Sequence, residues 1–438
     1  MNETVEATAG SPVNAVSAVE AAAGIARGEL SAETLVRACL DRIAAREDQV
    51  QAWAYLDPDH AIAQARRCDR EPSHGPLHGL PVGVKDVLDT ADMPTLWGDE
   101  ATFADRRPTR DAPVVQRLRE AGAVLLGKTA ISRFGFWWPG KTRNPHNLAH
   151  SPGSSSSGSA AAVADFMCPL AIGTQTVGSI MRPAAFCGLV GLKPSHDWMP
   201  WRQSRDYAPT LDVVGGLTRS VADMSLLMRG LTGRDAFDPD ASRDGPITIG
   251  LYRTTDWDAA PAYTHEIYEN TAARLSKAGC RIKDIDLPAQ FKRLNDTIDT
   301  VGTYESARSF EWELTHHADK LEPGLRELLE RGKSCSRERY LAAWDHGERC
   351  RRTFGEAIGD VDCLMVPGAL GEAPPATSTG PNAFIGIWSM LHVPDLALPV
   401  TTGPSGLPIG IQLIGRHGED ARLLALGRRI ETLLAARA

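Results

Sequence analysis

Helical segments alternate with short apolar strands along most of this chain, and this alternation limits the possible folds more than any other feature. Apolar strands are predicted within 78–90 and 121–129, with a helix over 113–120 between them, and a further strand is predicted at 247–256. Ser31 is a suitable N-cap for the helix that follows it. The pattern predicts an α/β fold, with a layered sheet covered by helices on both faces.

The second half of the chain continues this pattern. A helix is predicted over 260–278 and a strand in CRIKDIDLP, so that a βαβ unit forms with the strand before them. Residues 305–355 are helical and rich in charge, which predicts a solvated outer layer. Residues 396–415 contain two strands joined by a Gly/Pro hairpin, and the helix EDARLLALGRRIETLLAAR follows them.

Composition excludes several classes of protein. Hydrophobic residues make up 42% of the 438 residues and charged residues 23%, which is typical of a globular chain with a large core. The net charge of -8 argues against a nucleic-acid-binding protein, and no apolar run is long enough to span a membrane. The eight cysteines include no Cys-x-x-Cys pair, which predicts free thiols. Since the first residues lack a secretory pattern, we expect a cytoplasmic location.

Three motifs contain residues suited to chemistry. Lys85 ends the apolar run GLPVGVK, and burial would favour its neutral amine, which can act as a base. Residues 153–159 form a Gly/Ser loop that leads directly into an Ala-rich helix, which argues against a linker between domains. In GTQTVGSIMRPAAFCG, a strand leads into a turn whose N–H groups could hold an oxyanion beside a nucleophilic hydroxyl. Each motif taken alone is also compatible with a structural role.

Together, these motifs resemble the amidase signature family. The match runs without a gap over 151–195, from SPGSSSSGSAAAV to GLVGLKPS, and extends to GLPVGVKDVLDT and to GLPIGIQLIG. The NPHN, GTQT and Arg-Pro-Ala segments are most similar to the malonamidase-like branch. The resemblance implies the α/β amidase signature fold, a mixed twisted β-sheet covered by helices on both faces. It implies a single domain over 13–438, and the small, polar residues over 1–12 are expected to form a flexible tail.

The resemblance also implies roles for individual residues. Ser179 matches the nucleophile, Ser155 the bridging serine that the family holds in a cis peptide, and Lys85 the base. These roles imply a serine amidohydrolase that cleaves a C–N amide bond through an acyl-enzyme, with no cofactor and no metal. The oxyanion would be held by the backbone N–H groups of Thr176, Val177, Gly178 and Ser179.

Some positions depart from the usual family pattern. Val177 stands where the family has a glycine, and a β-branched residue resists positive φ, so the oxyanion turn could be altered. Gln175 and Arg182 match the malonamidase-like arrangement, in which the arginine binds a substrate carboxylate. A structural ion pair is the alternative role for Arg182. We expect Ser154 and Gln175 to contact the substrate as well.

Aromatic residues in ISRFGFWWPG and in HDWMPWRQSRDY predict an apolar pocket wall. Trp138, Trp198 and Trp201 are expected to contact the substrate, which favours a bulky or aromatic molecule. That preference conflicts with a small dicarboxylic half-amide. The substrate therefore stays open between a carboxylate-bearing amide, an aryl amide and a carbamate, and an ester is a further option.

Several other functions stay open at this stage. The chain could be the amidase subunit of a tRNA-dependent amidotransferase, or a catalytically dead binding protein. A Ser-His-Asp hydrolase is disfavoured because the chain lacks a G-x-S-x-G elbow, and we expect His146 and His150 to bond loop backbone instead. We expect the chain to bind a small-molecule amide or carbamate, and to bind neither nucleic acid nor a membrane. The family resemblance suggests that the chain forms a homodimer.

Overall fold

The computed structural model describes residues 12–197, 206–238, 240 and 245–436. Eleven strands within this part form one mixed sheet. The strands are β1 Trp53–Leu56, β2 Pro81–Lys85, β3 Val124–Thr129, β4 Leu170–Gln175, β5 Val190–Lys193, β6 Val213–Thr218, β7 Thr248–Leu251, β8 Arg281–Asp284, β9 Cys363–Pro367, β10 Asp395–Thr402 and β11 Pro408–Ile414. Their order across the sheet is β1-β3-β2-β4-β6-β5-β10-β11-β9-β7-β8.

Helices flank the sheet, as the α/β pattern predicts. They are α1 Ala18–Ala26, α2 Ala32–Val50, α3 Pro58–Arg70, α4 Glu100–Phe103, α5 Pro113–Glu120, α6 Ser157–Ala164, α7 Met181–Cys187, α8 Val221–Thr232, α9 Ala262–Lys277, α10 Leu294–Ser309, α11 Glu311–His316, α12 Pro323–Ser334, α13 Arg337–Ala357, α14 Gly386–Met390 and α15 Asp420–Ala435. Within the described part of the chain, every helix is too short or too polar to cross a bilayer.

Local sequence signals explain several of these elements. The Ser31 hydroxyl accepts a hydrogen bond from the Thr34 N–H and caps α2, as expected for a serine before a helix. The predicted βαβ unit is present, because β7 and β8 pair in parallel and α9 connects them. The predicted C-terminal hairpin is also present, since β10 and β11 pair antiparallel from Asp395↔Ile414 to Thr402↔Pro408.

Parallel pairing brings two strand ends to the same edge of the sheet. β2 pairs in parallel with β4, with Val82 opposite Leu170 and Val84 opposite Ile172. The carboxyl ends of neighbouring parallel strands are a common place for a ligand site in α/β proteins. Here those ends carry Lys85 on β2 and Gln175 on β4.

The prediction of a solvated outer layer over 305–355 is wrong in part. Charged residues do cover the outer faces of these helices, but the inner faces are buried, including Leu325 and Leu329 on α12 and Cys350 and Phe354 on α13. Even Glu305 is buried, and its carboxylate is satisfied there by hydrogen bonds from Thr210 and from the Tyr340 hydroxyl. These helices are therefore amphipathic, and their high proportion of charged residues alone did not indicate a buried face.

All eight cysteines lie in the described part of the chain and are free thiols, which confirms that prediction. Cys335 is half-buried and the other seven are buried. Burial raises the pKa of the Cys39 and Cys168 thiols, so these groups stay protonated at neutral pH.

Helix α6 packs so closely on the sheet that one of its glycines cannot be replaced without disruption. A Cβ at Gly158 would lie 2.2 Å from the Ala52 carbonyl oxygen and 2.3 Å from the Ala130 nitrogen. We expect Gly158→Ala to lower the free energy of unfolding by about 2–3 kcal/mol or more, since backbone atoms would have to move. The measurement is the urea midpoint of unfolding, with an unchanged slope.

Gly355→Ala on α13 is the matched control, because a Cβ there meets nothing within 4 Å. Alanine is the better helix former by about 1 kcal/mol, so this variant should be as stable as the parent or more so. Equal urea midpoints for the two variants would contradict the tight packing of α6.

Candidate active site

The first component of the site is a buried lysine at the end of β2. Lys85 is 1% exposed, and its Nζ donates hydrogen bonds to Ser155 Oγ at 2.8 Å, to Thr174 Oγ1 at 2.8 Å and to the Thr174 carbonyl at 3.1 Å. Burial lowers the pKa of Lys85 to about 7, against an opposing effect from the charge of Asp212. At neutral pH a large fraction of the amine is therefore uncharged and can accept a proton.

The second component is the Gly/Ser loop before α6. The peptide bond between Ser154 and Ser155 is cis, as the family resemblance implied. Both serines are buried, and the next residue, Ser156, donates its N–H to the Ser179 carbonyl at 3.2 Å. The loop thus lies between the lysine and the turn that carries Ser179.

The third component is the turn that follows β4. The N–H groups of Val177, Gly178 and Ser179 have no hydrogen-bond acceptor among the described residues. Gln175 fixes the end of this turn, because its Oε1 accepts from the Ile180 N–H at 2.8 Å and from the Met181 N–H at 3.0 Å. Free N–H groups beside a serine hydroxyl are what an oxyanion-binding turn requires.

Val177 does not distort this turn, because its φ lies outside the left-handed region. Gly178 is constrained by a neighbour rather than by φ, since a Cβ there would lie 2.4 Å from Asn382 Oδ1. The valine therefore fits the turn with an ordinary backbone conformation. Its side chain faces α14, where a Cβ at Gly386 would lie 3.0 Å from Val177 Cγ1.

The turn opens into a cavity of about 610 Å³, a volume suited to a small organic molecule. Residues 176–179 line it together with Ser154 and Arg182. Aromatic side chains and residues of α10 also line it. The aromatic and α10 residues are Phe136, Trp137, Tyr207, Asn295, Ile298, Asp299, Gly302, Thr303 and Ser306.

Arg182 is a buried cation in the cavity lining. Its guanidinium donates to the Gly380 carbonyl at 2.6 Å, to the Ser154 carbonyl at 3.0 Å and to Ser154 Oγ at 2.9 Å. Its Nε has no partner, and no described acidic residue forms an ion pair with it. Burial lowers the pKa of Arg182 to about 10, so the group stays charged at neutral pH. A structural ion pair, the alternative considered from sequence, is absent from the described residues.

The chain matches the family model described as Amidase over residues 34–424. The chain belongs to the amidase family. Like other members of this family, it is a serine hydrolase that acts on C–N bonds.

Three similar proteins illustrate the range of the family. One component of the glutamyl-tRNA(Gln) amidotransferase of Acidothermus cellulolyticus is 40% identical over 296 residues, which span 62% of this chain and 58% of that protein. A crystal structure of an amidase aligns with a TM-score of 0.86 at 30% identity, over 95% of this chain and 99% of the other. The native peptide amidase of Stenotrophomonas maltophilia aligns with a TM-score of 0.82 at 29% identity, over 98% of both chains.

The amidase-family fold places the expected substrate-binding residues in different environments. Ser154 and Arg182 line the cavity, as expected. Gln175 is buried behind the turn and braces it. Trp138 is not among the cavity-lining residues and packs instead against Gly324 of α12, whereas its neighbour Trp137 lines the cavity. The space that accepts the Trp138 ring exists because Gly324 has no side chain. The sequence of the aromatic cluster could not indicate this packing.

Trp198 and Trp201 lie outside the described residues, as do residues 1–11 of the expected tail. The two loop histidines behave as predicted. His146 Nε2 lies 3.0 Å from the Cys187 carbonyl oxygen, and His150 Nδ1 lies 2.7 Å from the Ala373 carbonyl oxygen. Both rings therefore bond backbone carbonyls, at the end of α7 for His146 and in a loop for His150, and no histidine lines the cavity among the described residues.

Three cavity features were missed from sequence. Asp256 and Asn382 come from separate loops, and most of the cavity-lining part of α10 precedes the outer layer predicted over 305–355. Only the apolar positions of α10, such as Ile298 and Val301, could have indicated a buried face. Among the described residues, no three His, Cys, Asp or Glu side chains form a group that could hold a metal ion.

Proposed function

We propose that this amidase-family enzyme hydrolyses a small carboxylate-bearing amide through an acyl-enzyme on Ser179. The observation that carries the proposal is the hydrogen bond from the buried Lys85 amine to Ser155 Oγ, next to the turn of Ser179. A neutral amine and a bridging hydroxyl can relay a proton without histidine.

The proposed reaction runs in two halves. Neutral Lys85 takes the Ser155 hydroxyl proton while Ser155 takes that of Ser179, and the Ser179 oxygen forms a bond to the substrate carbonyl carbon. The free N–H groups of the turn stabilise the resulting oxyanion. The proton returns from Lys85 through Ser155 to the leaving nitrogen, and the C–N bond breaks. Water then attacks the acyl-enzyme by the same route and releases the acid.

The environment of Arg182 is the reason for proposing a carboxylate on the substrate. Its charge is buried and lacks an acidic partner among the described residues, so a substrate carboxylate would supply the missing countercharge. The aromatic side chains of Phe136, Trp137 and Tyr207 leave room for an aryl or alkyl body beside it. A neutral aryl amide, a carbamate or an ester fits the same acyl-transfer chemistry.

The test is the ratio of kcat/KM for a short aryl amide with a free carboxylate and for its methyl ester. We expect the acid to be preferred by at least about tenfold, which corresponds to about 1.4 kcal/mol. In Arg182→Met the preference should vanish, while the neutral compound keeps a measurable rate. A preference for the neutral compound in the parent enzyme would contradict the carboxylate-bearing class and support aryl amides or carbamates.

A role as the amidase subunit of a tRNA-dependent amidotransferase is the second candidate. It is favoured by the 40% identity to the amidotransferase component from Acidothermus cellulolyticus, although that match spans 62% of this chain. Turnover of a free amide by the purified chain, alone or as a homodimer, would oppose it.

A binding protein without activity is disfavoured by the Lys85–Ser155 hydrogen bond, which a dead site has no need to keep.

A further inference from the structure

Asp212 lies directly beside the turn that carries the nucleophile. It precedes β6, and the pairing of Gln175 with Val213 places it next to Thr176. The Thr176 hydroxyl donates a hydrogen bond to Asp212 Oδ1. Because Thr176 begins the turn, this bond fixes the backbone from which the oxyanion-binding N–H groups project.

The second oxygen of the same carboxylate holds the aromatic wall. Asp212 Oδ2 accepts the Tyr207 N–H at 2.6 Å and the Ala208 N–H at 3.1 Å. Tyr207 lines the cavity, so one carboxylate connects the oxyanion turn to the wall of the substrate pocket. Hydrogen bonds to an ionised acceptor are the stronger kind, and they hold both segments in place.

Asp212 also acts on Lys85 through its charge. Its field raises the pKa of Lys85 and opposes the effect of burial. Burial is the main reason that the pKa of Asp212 itself is raised to about 7, and the charge of Asp206 raises this pKa as well. The hydrogen bonds from Thr176, Tyr207 and Ala208 act in the opposite direction and lower the pKa. On the α10 side, Glu305 faces this segment through its bonds to Thr210.

We propose that Asp212 is a positioning residue, which fixes the oxyanion turn through Thr176 and stabilises the ammonium that forms when Lys85 accepts the proton. The proposal rests on the proposed function, because it needs Lys85 as the base and Ser179 as the nucleophile. No atom of Asp212 needs to contact the substrate. Its effect should therefore fall on the rate of acylation rather than on substrate affinity.

The test uses a fluorophosphonate, which reacts with an activated serine and needs no knowledge of the natural substrate. The second-order rate of labelling at Ser179 is followed from pH 5 to pH 9. We expect Asp212→Asn to lower the plateau rate by about 10–100-fold. Its acid limb should move to lower pH by about half a unit or more, because loss of the negative charge makes Lys85 less basic.

Thr176→Val and Thr176→Ser keep the test decisive if Asp212→Asn fails to fold. Valine removes the donor to Asp212 and should slow labelling about tenfold or more, whereas serine keeps the hydroxyl and should restore most of the rate. Asp165→Asn is the matched control, since it removes a buried carboxylate at the far end of α6, where Arg42 and Arg46 bind it. Its labelling rate should equal that of the parent.

The outcomes separate the two proposals. A parent enzyme that does not label at Ser179 would overturn the proposed function. The role of Asp212 would be overturned if the parent labels at Ser179 and Asp212→Asn labels at the same rate. In that outcome the acid limb of the pH profile would also stay at the same pH. Equal rates for Thr176→Val and Thr176→Ser would also overturn it.

Discussion

Replacing Ser179 with alanine should reduce hydrolysis by about 10⁴-fold or more, because no other side chain can form the acyl-enzyme. Ser179 lies in a turn of the cavity lining in which the N–H groups of residues 177–179 have no acceptor among the described residues. The measurement is amine release from the preferred aryl amide, together with covalent labelling by a fluorophosphonate. Both signals should disappear, while the urea midpoint of unfolding stays close to that of the parent.

Ser159→Ala is the matched control for this variant. Ser159 lies on α6, and its hydroxyl donates to the Ile172 carbonyl at 3.0 Å and contacts Thr129 Oγ1 at 2.7 Å. Its loss should lower the free energy of unfolding by about 1–3 kcal/mol with little change in kcat. Amine release by Ser179→Ala within about tenfold of the parent would contradict the acyl-enzyme.

Lys85→Met should reduce acylation by about 10²–10⁴-fold, since it keeps the length of the side chain and removes the base. Burial lowers the pKa of Lys85 to about 7, and only the neutral amine can accept the proton. In the parent enzyme, kcat/KM should therefore rise with pH through about 7 and then reach a plateau. The variant should lose this acid limb together with most of its rate.

Lys128→Met provides the matched control, because Lys128 is also fully buried and its pKa is lowered to about 8 by burial. Its Nζ contacts Thr95 Oγ1 and the Leu88 and Pro94 carbonyls, away from the Gly/Ser loop. This variant should be less stable but should retain the acid limb near pH 7. An unchanged acid limb in Lys85→Met would exclude Lys85 as the base.

The order of strands and helices followed from local patterns, because apolar runs, N-caps and glycine turns act within a few residues. The arrangement around the site depended on pairing between distant strands. Three lysines of the described part of the chain are fully buried, namely Lys85, Lys128 and Lys193. Burial lowers the pKa of each, and Lys85 differs from the other two in its hydrogen bond to Ser155, which only the folded arrangement shows.

The substrate pocket was the least predictable part of the site. A choice between Trp137 and Trp138 depends on which ring fits over Gly324 of α12, which lies far away in sequence. Asp212 gave no signal, because a single aspartate before a strand is common and its partners became visible only through the pairing of β4 with β6. Arg182 was found through its motif, but the absence of an acidic partner among the described residues is a property of the fold.

The central claim is that the neutral amine of Lys85 activates Ser179 through Ser155. The most direct test is peptide-level mass spectrometry after fluorophosphonate treatment at pH 8, with labelling rates measured for the parent, Ser155→Ala and Lys85→Met. The predicted result is one adduct, on Ser179, whose formation slows by about 10²-fold or more in both variants. An adduct on another residue, or equal rates in the three proteins, would contradict the account.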